Sequence, residues 1–130
     1  MREKILIVDD NHTHMRLVEM ILRTDNYILL KAFDGEEALD IATREQPDLV
    51  LMDLNLPKMN GFEVIRRLKE NPISSQASII AITAYAMKGD REKVLELGCD
   101  EYVSKPISTR ELSKMITRIL SQRTKNNASP

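Results

Sequence analysis

The run ILIVDD at residues 5–10 gives the first indication of the fold, because four apolar residues lead directly into two aspartates. The apolar residues do not alternate with polar ones, which is typical of a strand covered on both faces in a parallel sheet. Similar runs lie at residues 27–32, 49–52, 79–83 and 102–104. Between these runs, apolar residues recur three and four positions apart, as in amphipathic helices. The alternation predicts an α/β protein with a doubly wound, five-stranded parallel sheet.

Capping patterns mark the ends of several predicted helices. In a capping box, a short polar side chain and a glutamate three residues later satisfy backbone amides at the start of a helix. Asp34 with Glu37 and Ser108 with Glu111 fit this pattern. Gly98 is a residue type that commonly ends a helix. We therefore expect the second helix at about 35–46, the fourth at about 88–97 and the fifth after 108.

Length and composition restrict the protein to a few classes. The chain has 130 residues, of which 42% are hydrophobic, and this suits one domain with a sizeable core. Its formal net charge of −1 gives no support to nucleic-acid binding, and its apolar runs are too short to span a membrane. We expect a cytoplasmic protein with one domain at residues 1–121, a polar, flexible tail at 122–130, no direct nucleic-acid contact and no membrane insertion.

Polar side chains follow four of the five predicted strands. Asp9 and Asp10 follow the first strand, Asp53 the third and Lys105 the fifth, and Thr83 ends the fourth. Ligands of open parallel sheets bind at the carboxyl ends of the strands, so these groups are expected to share one crevice. Two carboxylates about 4 Å apart repel each other by roughly 4 kcal/mol at an effective dielectric constant near 20. The set therefore suits a hard divalent cation such as Mg²⁺, although an aspartate after a strand also serves as a helix N-cap.

Other chemistry-bearing patterns are absent or weak in the sequence. It contains no P-loop, no dinucleotide-binding glycine pattern and no nucleophile elbow. His12 and His14 are two residues apart, so they point to different faces of a helix, and we expect both to be exposed rather than metal-bound. Cys99, the single cysteine, is expected to be a small buried residue.

Four segments at the predicted strand ends together resemble the receiver domain of two-component response regulators, over roughly residues 3–121. They are ILIVDDN at 5–11, DLNLPKMNG at 53–61, AITA at 81–84 and YVSKP at 102–106. The resemblance implies a flavodoxin-like fold with strand order 2-1-3-4-5. The stretch TAYAMKGD, which begins at Thr83, is similar to stand-alone cell-cycle regulators and to receivers of hybrid kinases. The starting methionine favours a stand-alone regulator over a piece of a longer chain.

The resemblance also implies roles for the residues in the crevice. Asp53 is expected to accept a phosphoryl group from a sensor histidine kinase or a histidine phosphotransfer protein. Asp9, Asp10, Asp53 and the backbone carbonyl of Asn55 are expected to bind Mg²⁺, for which Mn²⁺ is a plausible substitute. Lys105 is expected to pair with a phosphoryl oxygen. Such a receiver assists only its own phosphorylation and dephosphorylation, so no separate enzymatic activity is expected.

The same resemblance implies a switch and a surface that reports it. Thr83 is expected to donate its hydroxyl to the phosphoryl group, and Tyr102 to turn inward as Thr83 moves. The downstream protein target is then expected on the face formed by the fourth helix, the fifth strand and the fifth helix. Asn55 and Tyr85 are expected to tune the dephosphorylation rate, and the Lys105–Pro106 bond is expected to be cis.

Two other functions can be weighed against this one. A Mg²⁺-dependent phosphatase of the haloacid-dehalogenase type also forms an aspartyl phosphate, but its D-x-D-x-[TV] pattern differs from the adjacent pair Asp9 and Asp10. A receiver fold can also act as an interaction module that is never phosphorylated. The complete set of three aspartates, Thr83 and Lys105 argues against that alternative.

Overall fold

Strands and helices alternate along the chain, which the structure, a computed structural model, describes over residues 2–23, 25–84 and 86–128; for 124–128 it describes the backbone. The strands are β1 (Lys4–Val8), β2 (Ile28–Ala32), β3 (Leu49–Asp53), β4 (Ser78–Thr83) and β5 (Glu101–Ser104). The helices are α1 (His12–Arg23), α2 (Gly35–Glu45), α3 (Gly61–Glu70), α4 (Asp90–Leu97) and α5 (Thr109–Ala128). All strand pairs are parallel, in the order β2-β1-β3-β4-β5. The predicted doubly wound sheet and its flavodoxin-like strand order are both confirmed.

Both faces of the sheet are buried, which explains the unbroken apolar runs. In β1, Ile5 and Ile7 pack in a cluster with residues of α1 and α5. Leu6 and Val8 point to the other face and pack in a second cluster with residues of α2, α3 and α4. All four side chains are at most 2% exposed. Because neither face meets water, the strand has no reason to alternate between apolar and polar residues.

Both predicted cap residues accept their expected hydrogen bonds, and the Asp34 box also has its reciprocal bond, with a shifted partner. The Asp34 carboxylate accepts a 2.8 Å hydrogen bond from the backbone N–H of Glu37. The Glu37 carboxylate accepts in return from the N–H of Phe33, one residue before the cap. At the start of α5, Ser108 Oγ accepts from the N–H of Glu111 at 3.3 Å. These bonds satisfy amides that would otherwise lack partners in the first helical turn.

Helix α4 begins two residues later than the sequence predicts, at Asp90 instead of Lys88. The cause is Gly89, whose φ of 92° is incompatible with a continuous helix. The Asp90 carboxylate accepts a hydrogen bond from the N–H of Met87 and closes the turn before the helix. The chain from β4 to α4 therefore runs as a loop next to the site.

Helix α5 is longer than its apolar stripe predicts. It continues to Ala128, so most of the segment expected as a tail at 122–130 is helical, and residues 129–130 lie outside the described part. Arg123 gives a reason, because its guanidinium lies 3.6 Å from the carboxylate of Asp48 and 3.4 Å from Ser78 Oγ. The same guanidinium donates to the carbonyl of Gln76. Across the described residues, no helix combines the length and apolar character that a membrane span requires.

Candidate functional site

Three carboxylates meet at the carboxyl ends of β1 and β3. Asp9, Asp10 and Asp53 each place one carboxylate oxygen within 4.8 Å of the others. Asp9 and Asp53 are buried, at 6% and 4% exposure, whereas Asp10 is exposed. β1 and β3 are neighbours in the sheet, so residues far apart in sequence end at the same edge. The crevice predicted from the strand ends is therefore present.

Local hydrogen bonds orient the two buried carboxylates in the same way. Asp9 Oδ1 accepts from the backbone N–H of Asn11, and Asp53 Oδ1 accepts from that of Asn55, both at 2.9 Å. Each bond links a side chain to the amide two residues later, which fixes the turn after the strand. The Oδ2 atoms of both residues are the atoms that face Lys105.

Lys105 brings a positive charge to the cluster from the loop after β5. Its Nζ atom lies 3.4 Å from Asp9 Oδ2 and 3.5 Å from Asp53 Oδ2. The Lys105–Pro106 bond is cis, as predicted. The Lys105 side chain is only 18% exposed, so its charge acts where water screens it little.

One positive charge does not compensate the three carboxylates. Burial raises the pKa of the Asp53 carboxyl above its usual value, and the negative charge of Asp9 raises this pKa further. The N–H of Asn55 and the ammonium of Lys105 act in the opposite direction, but the pKa remains raised. The donor set consists of carboxylate oxygens, which are the ligands that a hard divalent cation prefers. The residues present therefore fit a Mg²⁺ ion.

A side-chain amide connects the ends of β3 and β4. Thr83 is buried at the end of β4, and its hydroxyl donates to Asn55 Oδ1 at 3.1 Å. The N–H of Ala84 donates to the same oxygen, also at 3.1 Å. Tyr85, the next residue and one of the predicted tuning positions, lies outside the described residues. The Asn55 side chain thus holds the loop after β4 beside the carboxylates.

Tyr102 lies on β5, on the side of the sheet that α4 covers. It pairs with Ala81 of β4 and packs against the core cluster of that face. Its phenol oxygen is buried and has no hydrogen-bond partner within the part of the chain that the structure describes. Burial raises the pKa of the Tyr102 phenol. A buried hydroxyl without a partner is costly, so the position of this ring is sensitive to changes around it.

Gly61 lets α3 begin directly against the end of β3. A Cβ atom at this position would lie 2.5 Å from the Cα of Leu54 and 2.8 Å from the carbonyl oxygen of Asp53. Backbone atoms cannot move aside as the end of a side chain can. The glycine is therefore required by the close approach of two backbone segments next to the phosphoacceptor candidate.

Comparison with known proteins agrees with this geometry. The sequence model of the response regulator receiver domain matches residues 5–117. The chain belongs to the response regulator receiver domain family. It is 39% identical over 120 residues to the polar-differentiation response regulator DivK of Brucella anthropi, an alignment that covers 92% of this chain and 98% of the relative.

Solved receiver structures share the whole fold of this receiver domain. A CheY-like response regulator receiver domain from Methanospirillum hungatei has a TM-score of 0.91 at 28% identity, over 97% of this chain and 99% of the other. The receiver domain of the sensor histidine kinase PA1611 from Pseudomonas aeruginosa, with a magnesium ion coordinated in its active-site cleft, has a TM-score of 0.84 at 33% identity, over 93% and 99%. The match covers nearly the full length of each chain.

One residue of this receiver site departs from its prediction. His14 was expected to be exposed rather than metal-bound, but it is half-buried, and its Nδ1 lies 3.1 Å from Lys105 Nζ and 3.8 Å from Asp9 Oδ2. The two-residue spacing between His12 and His14 predicts only that the two side chains lie on different faces of the helix. The useful signal is that His14 lies four residues after Asp10, one helical turn from the strand end, where a side chain reaches back over the crevice.

The two other sequence predictions outside the cluster are confirmed. His12 is exposed, and its ring stacks on Phe33 with centroids 4.5 Å apart. Cys99 is buried, and burial raises the pKa of its thiol to about 12. A thiol that keeps its proton is a poor nucleophile, so Cys99 has a packing role.

Proposed function

We propose that this receiver domain accepts a phosphoryl group on Asp53 from the phosphohistidine of a sensor histidine kinase or a histidine phosphotransfer protein. The observation that carries the proposal is the cluster of three carboxylates with Lys105 at the carboxyl edge of the sheet. The curated relatives support it because they are named response regulators. Neither a free-standing phosphatase nor an unphosphorylated interaction module is favoured by the family match.

The transfer needs one nucleophile and groups that stabilise the negative charge of the phosphoryl oxygens. A carboxylate oxygen of Asp53 attacks phosphorus, and the P–O bond forms as the P–N bond to the donor histidine breaks. The electron pair of the P–N bond stays on the histidine nitrogen, so no oxidant or reductant is required. Lys105 stabilises the negative charge of the phosphoryl oxygens, and the Thr83 hydroxyl donates to one of them. Positioning and charge neutralisation account for most of the catalysis of such transfers.

A divalent cation completes this site. In the proposal, Asp9, Asp10, Asp53 and the backbone carbonyl of Asn55 hold Mg²⁺, with Mn²⁺ as a substitute. A bound cation supplies positive charge to the phosphoryl oxygens. The magnesium in the active-site cleft of the Pseudomonas aeruginosa receiver domain supports this assignment. The protein itself contributes a fixed set of oxygens, since the Asp9 and Asp53 carboxylates are held by backbone amides.

The output of the switch is a change of protein-binding surface. When Thr83 donates to a phosphoryl oxygen, it gives up its hydrogen bond to Asn55, and the loop before α4 and the ring of Tyr102 can move with it. The proposed target surface is the α4-β5-α5 face, which adjoins both residues. Two large apolar side chains on this side, Met87 at 69% and Leu95 at 39%, are exposed and suit contact with a protein partner.

This role is that of a signalling phosphoacceptor, which acts on no other substrate. The balance of 19 basic and 20 acidic residues favours a protein partner over nucleic acid. The proposed compartment is the cytoplasm, and the free thiol of Cys99 suits reducing surroundings.

Phosphorylation of Asp53 is tested by intact-mass measurement after incubation with acetyl phosphate and Mg²⁺. We expect one added phosphoryl group on the wild type and none on Asp53→Asn. Asp40→Asn is the matched control, since it removes an exposed carboxylate that pairs with Arg44 on α2, and it is expected to be labelled like the wild type. A label that persists in Asp53→Asn refutes the assignment.

The target face is tested separately by NMR. Beryllofluoride mimics a phosphoryl group, and its addition is expected to shift backbone amide signals mainly within residues 84–118. Tyr102→Ala is expected to reduce these shifts while leaving phosphorylation of Asp53 nearly intact. Shifts that cluster instead on α1 and α2 contradict the proposed face.

A further inference from the structure

Among the described residues, three contact the Lys105 ammonium, and His14 makes the shortest of these contacts. Its Nδ1 atom lies 3.1 Å from Lys105 Nζ, whereas the two carboxylate oxygens lie at 3.4 and 3.5 Å. An ammonium carries three hydrogens and no acceptor, so Asp9, Asp53 and His14 match it one to one. We infer that His14 is a positioning residue, which accepts a hydrogen bond from Lys105 and holds the ammonium at the rim of the carboxylate cluster.

His14 lies at the edge of a cavity beside the carboxylate cluster. Its side chain is 44% exposed and borders a cavity of about 360 Å³ between α1 and the loop after β5. The neighbouring walls of this cavity include the apolar side chains of Leu17, Val18 and Ile107. For Nδ1 to accept from Lys105, the ring hydrogen has to be on Nε2. In this tautomer the ring offers its acceptor nitrogen to Lys105.

The distances show what this contact does to Lys105. Hydrogen bonds between an ammonium and a carboxylate are usually about 2.7–2.9 Å long. Both Lys105 contacts to carboxylates are longer than this, and the contact to His14 is the shortest of the three. In the proposal, the hydrogen bond to His14 draws the ammonium away from the carboxylates. Without His14, attraction moves the ammonium towards Asp9 and Asp53. There the ammonium competes with a divalent cation for the carboxylates. It also leaves the position from which it contacts a phosphoryl oxygen, a step that rests on the proposed function.

Two variants separate the acceptor from the bulk of the ring. His14→Asn keeps an acceptor oxygen near the position of Nδ1, whereas His14→Leu keeps similar volume without an acceptor. Mg²⁺ affinity is measured by calorimetry at one fixed pH, and the phosphorylation rate with acetyl phosphate at saturating Mg²⁺. For His14→Leu we expect Mg²⁺ binding and phosphorylation each to fall about fivefold, a range typical of one hydrogen bond. His14→Asn is expected to restore most of both losses.

Two further measurements distinguish positioning from a general structural effect. In a Lys105→Met background, His14→Leu is expected to change Mg²⁺ affinity less than twofold, because the residue acts through Lys105. His12→Leu is the matched control, since it makes the same substitution on α1 at an exposed residue that stacks on Phe33. His14→Ala is a second acceptor-free variant, and the melting temperature of each variant verifies that it folds.

The outcomes can be told apart. The inference is overturned if His14→Leu binds Mg²⁺ like the wild type, if His14→Asn loses as much as His14→Leu, or if the loss is the same with and without Lys105. A wild type that acquires no phosphoryl group overturns the proposed function instead. In that case the affinity for Mg²⁺ alone still decides the role of His14.

Discussion

Asp53→Asn is expected to stabilise the metal-free protein, although it removes the proposed phosphoacceptor. The substitution keeps the shape of the side chain and an oxygen that can accept from the N–H of Asn55, which lies 2.9 Å from Asp53 Oδ1. It removes one of three negative charges whose oxygens lie within 4.8 Å of one another. It also removes the attraction to Lys105 Nζ at 3.5 Å. The sign of the effect depends on which of these is larger.

Coulomb's law at an effective dielectric constant near 20 gives the magnitude. At the upper limit of 4.8 Å between carboxylate oxygens, each repulsion is about 3.5 kcal/mol, and the attraction between Asp53 and Lys105 at 3.5 Å is about 4.7 kcal/mol. The two repulsions exceed the attraction by about 2 kcal/mol. Solvent near the exposed Asp10 reduces this value, and the cost of burying the Asp53 charge increases it. For 130 residues, an unfolding entropy of about 2.1 cal/mol/K per residue converts 2 kcal/mol into a melting temperature about 7 °C higher.

The stabilisation should depend on pH in a defined direction. Burial raises the pKa of the Asp53 carboxyl in the folded state, so the charged form destabilises the native protein above that raised pKa. As the pH falls through this raised pKa, the folded wild type takes up a proton before the unfolded chain does, so its free energy of unfolding increases. The advantage of Asp53→Asn is therefore full above the raised pKa and is lost as the pH falls through it towards the ordinary Asp value of about 3.9.

Thermal melts followed by circular dichroism in EDTA, at pH 7 and at lower pH, test this reasoning. Asp40→Asn removes an exposed charge that pairs with Arg44 at 3.2 Å and is expected to change stability by less than about 0.5 kcal/mol. Millimolar Mg²⁺ should reduce the difference in melting temperature between the wild type and Asp53→Asn, because it stabilises the wild type. The reasoning fails if Asp53→Asn melts at or below the wild-type temperature at pH 7, or if its advantage does not shrink on acidification.

Three other substitutions test separate features. Asp10→Asn should raise the melting temperature in EDTA and reduce the stabilisation by Mg²⁺; an unchanged Mg²⁺ shift contradicts the role of Asp10 as a ligand. Gly61→Ala should destabilise the folded protein by about 1–3 kcal/mol in denaturant titrations, because its Cβ would lie 2.5 Å from the Cα of Leu54. Unchanged stability means that the two backbone segments can separate. Tyr102→Phe should stabilise by about 1 kcal/mol in the same assay, because its buried hydroxyl lacks a partner, and a loss of stability would reveal a hidden one.

Local sequence patterns predicted much of this molecule because their physical causes are local. The run at residues 5–8 lacks polar alternation because both faces of β1 are covered. This burial could be predicted without knowing which helices cover the strand. The carboxylates of Asp9 and Asp53 could be placed together because all strands of a parallel sheet end at one edge. The strand order itself came from the resemblance to receiver domains, since periodicity does not say which strands are neighbours.

The helix ends show where local patterns stop being sufficient. Gly89 interrupts α4 through its positive φ, and sequence periodicity placed the start of this helix two residues too early. At the other end of the chain, the polar residues after 121 carry no apolar stripe, yet α5 continues. Arg123 meets Asp48 and Ser78, which lie 75 and 45 residues earlier in the chain. A contact of this kind leaves no periodic trace in the sequence.

Local sequence patterns predict the five strands, the five helices apart from some of their ends, and the edge of the sheet at which the charged groups lie. Which side chains lie within hydrogen-bond distance of one another depends on how the helices and loops pack. His14 and Lys105 are 91 residues apart, on α1 and on the loop after β5, and their contact depends on how these two elements pack across the crevice. The Asn55 amide reaches Thr83 for the same reason, across 28 residues. Hydrogen bonds form over a few tenths of an ångström, and the rotation of a helix or the path of a loop fixes such distances only when the whole chain is folded.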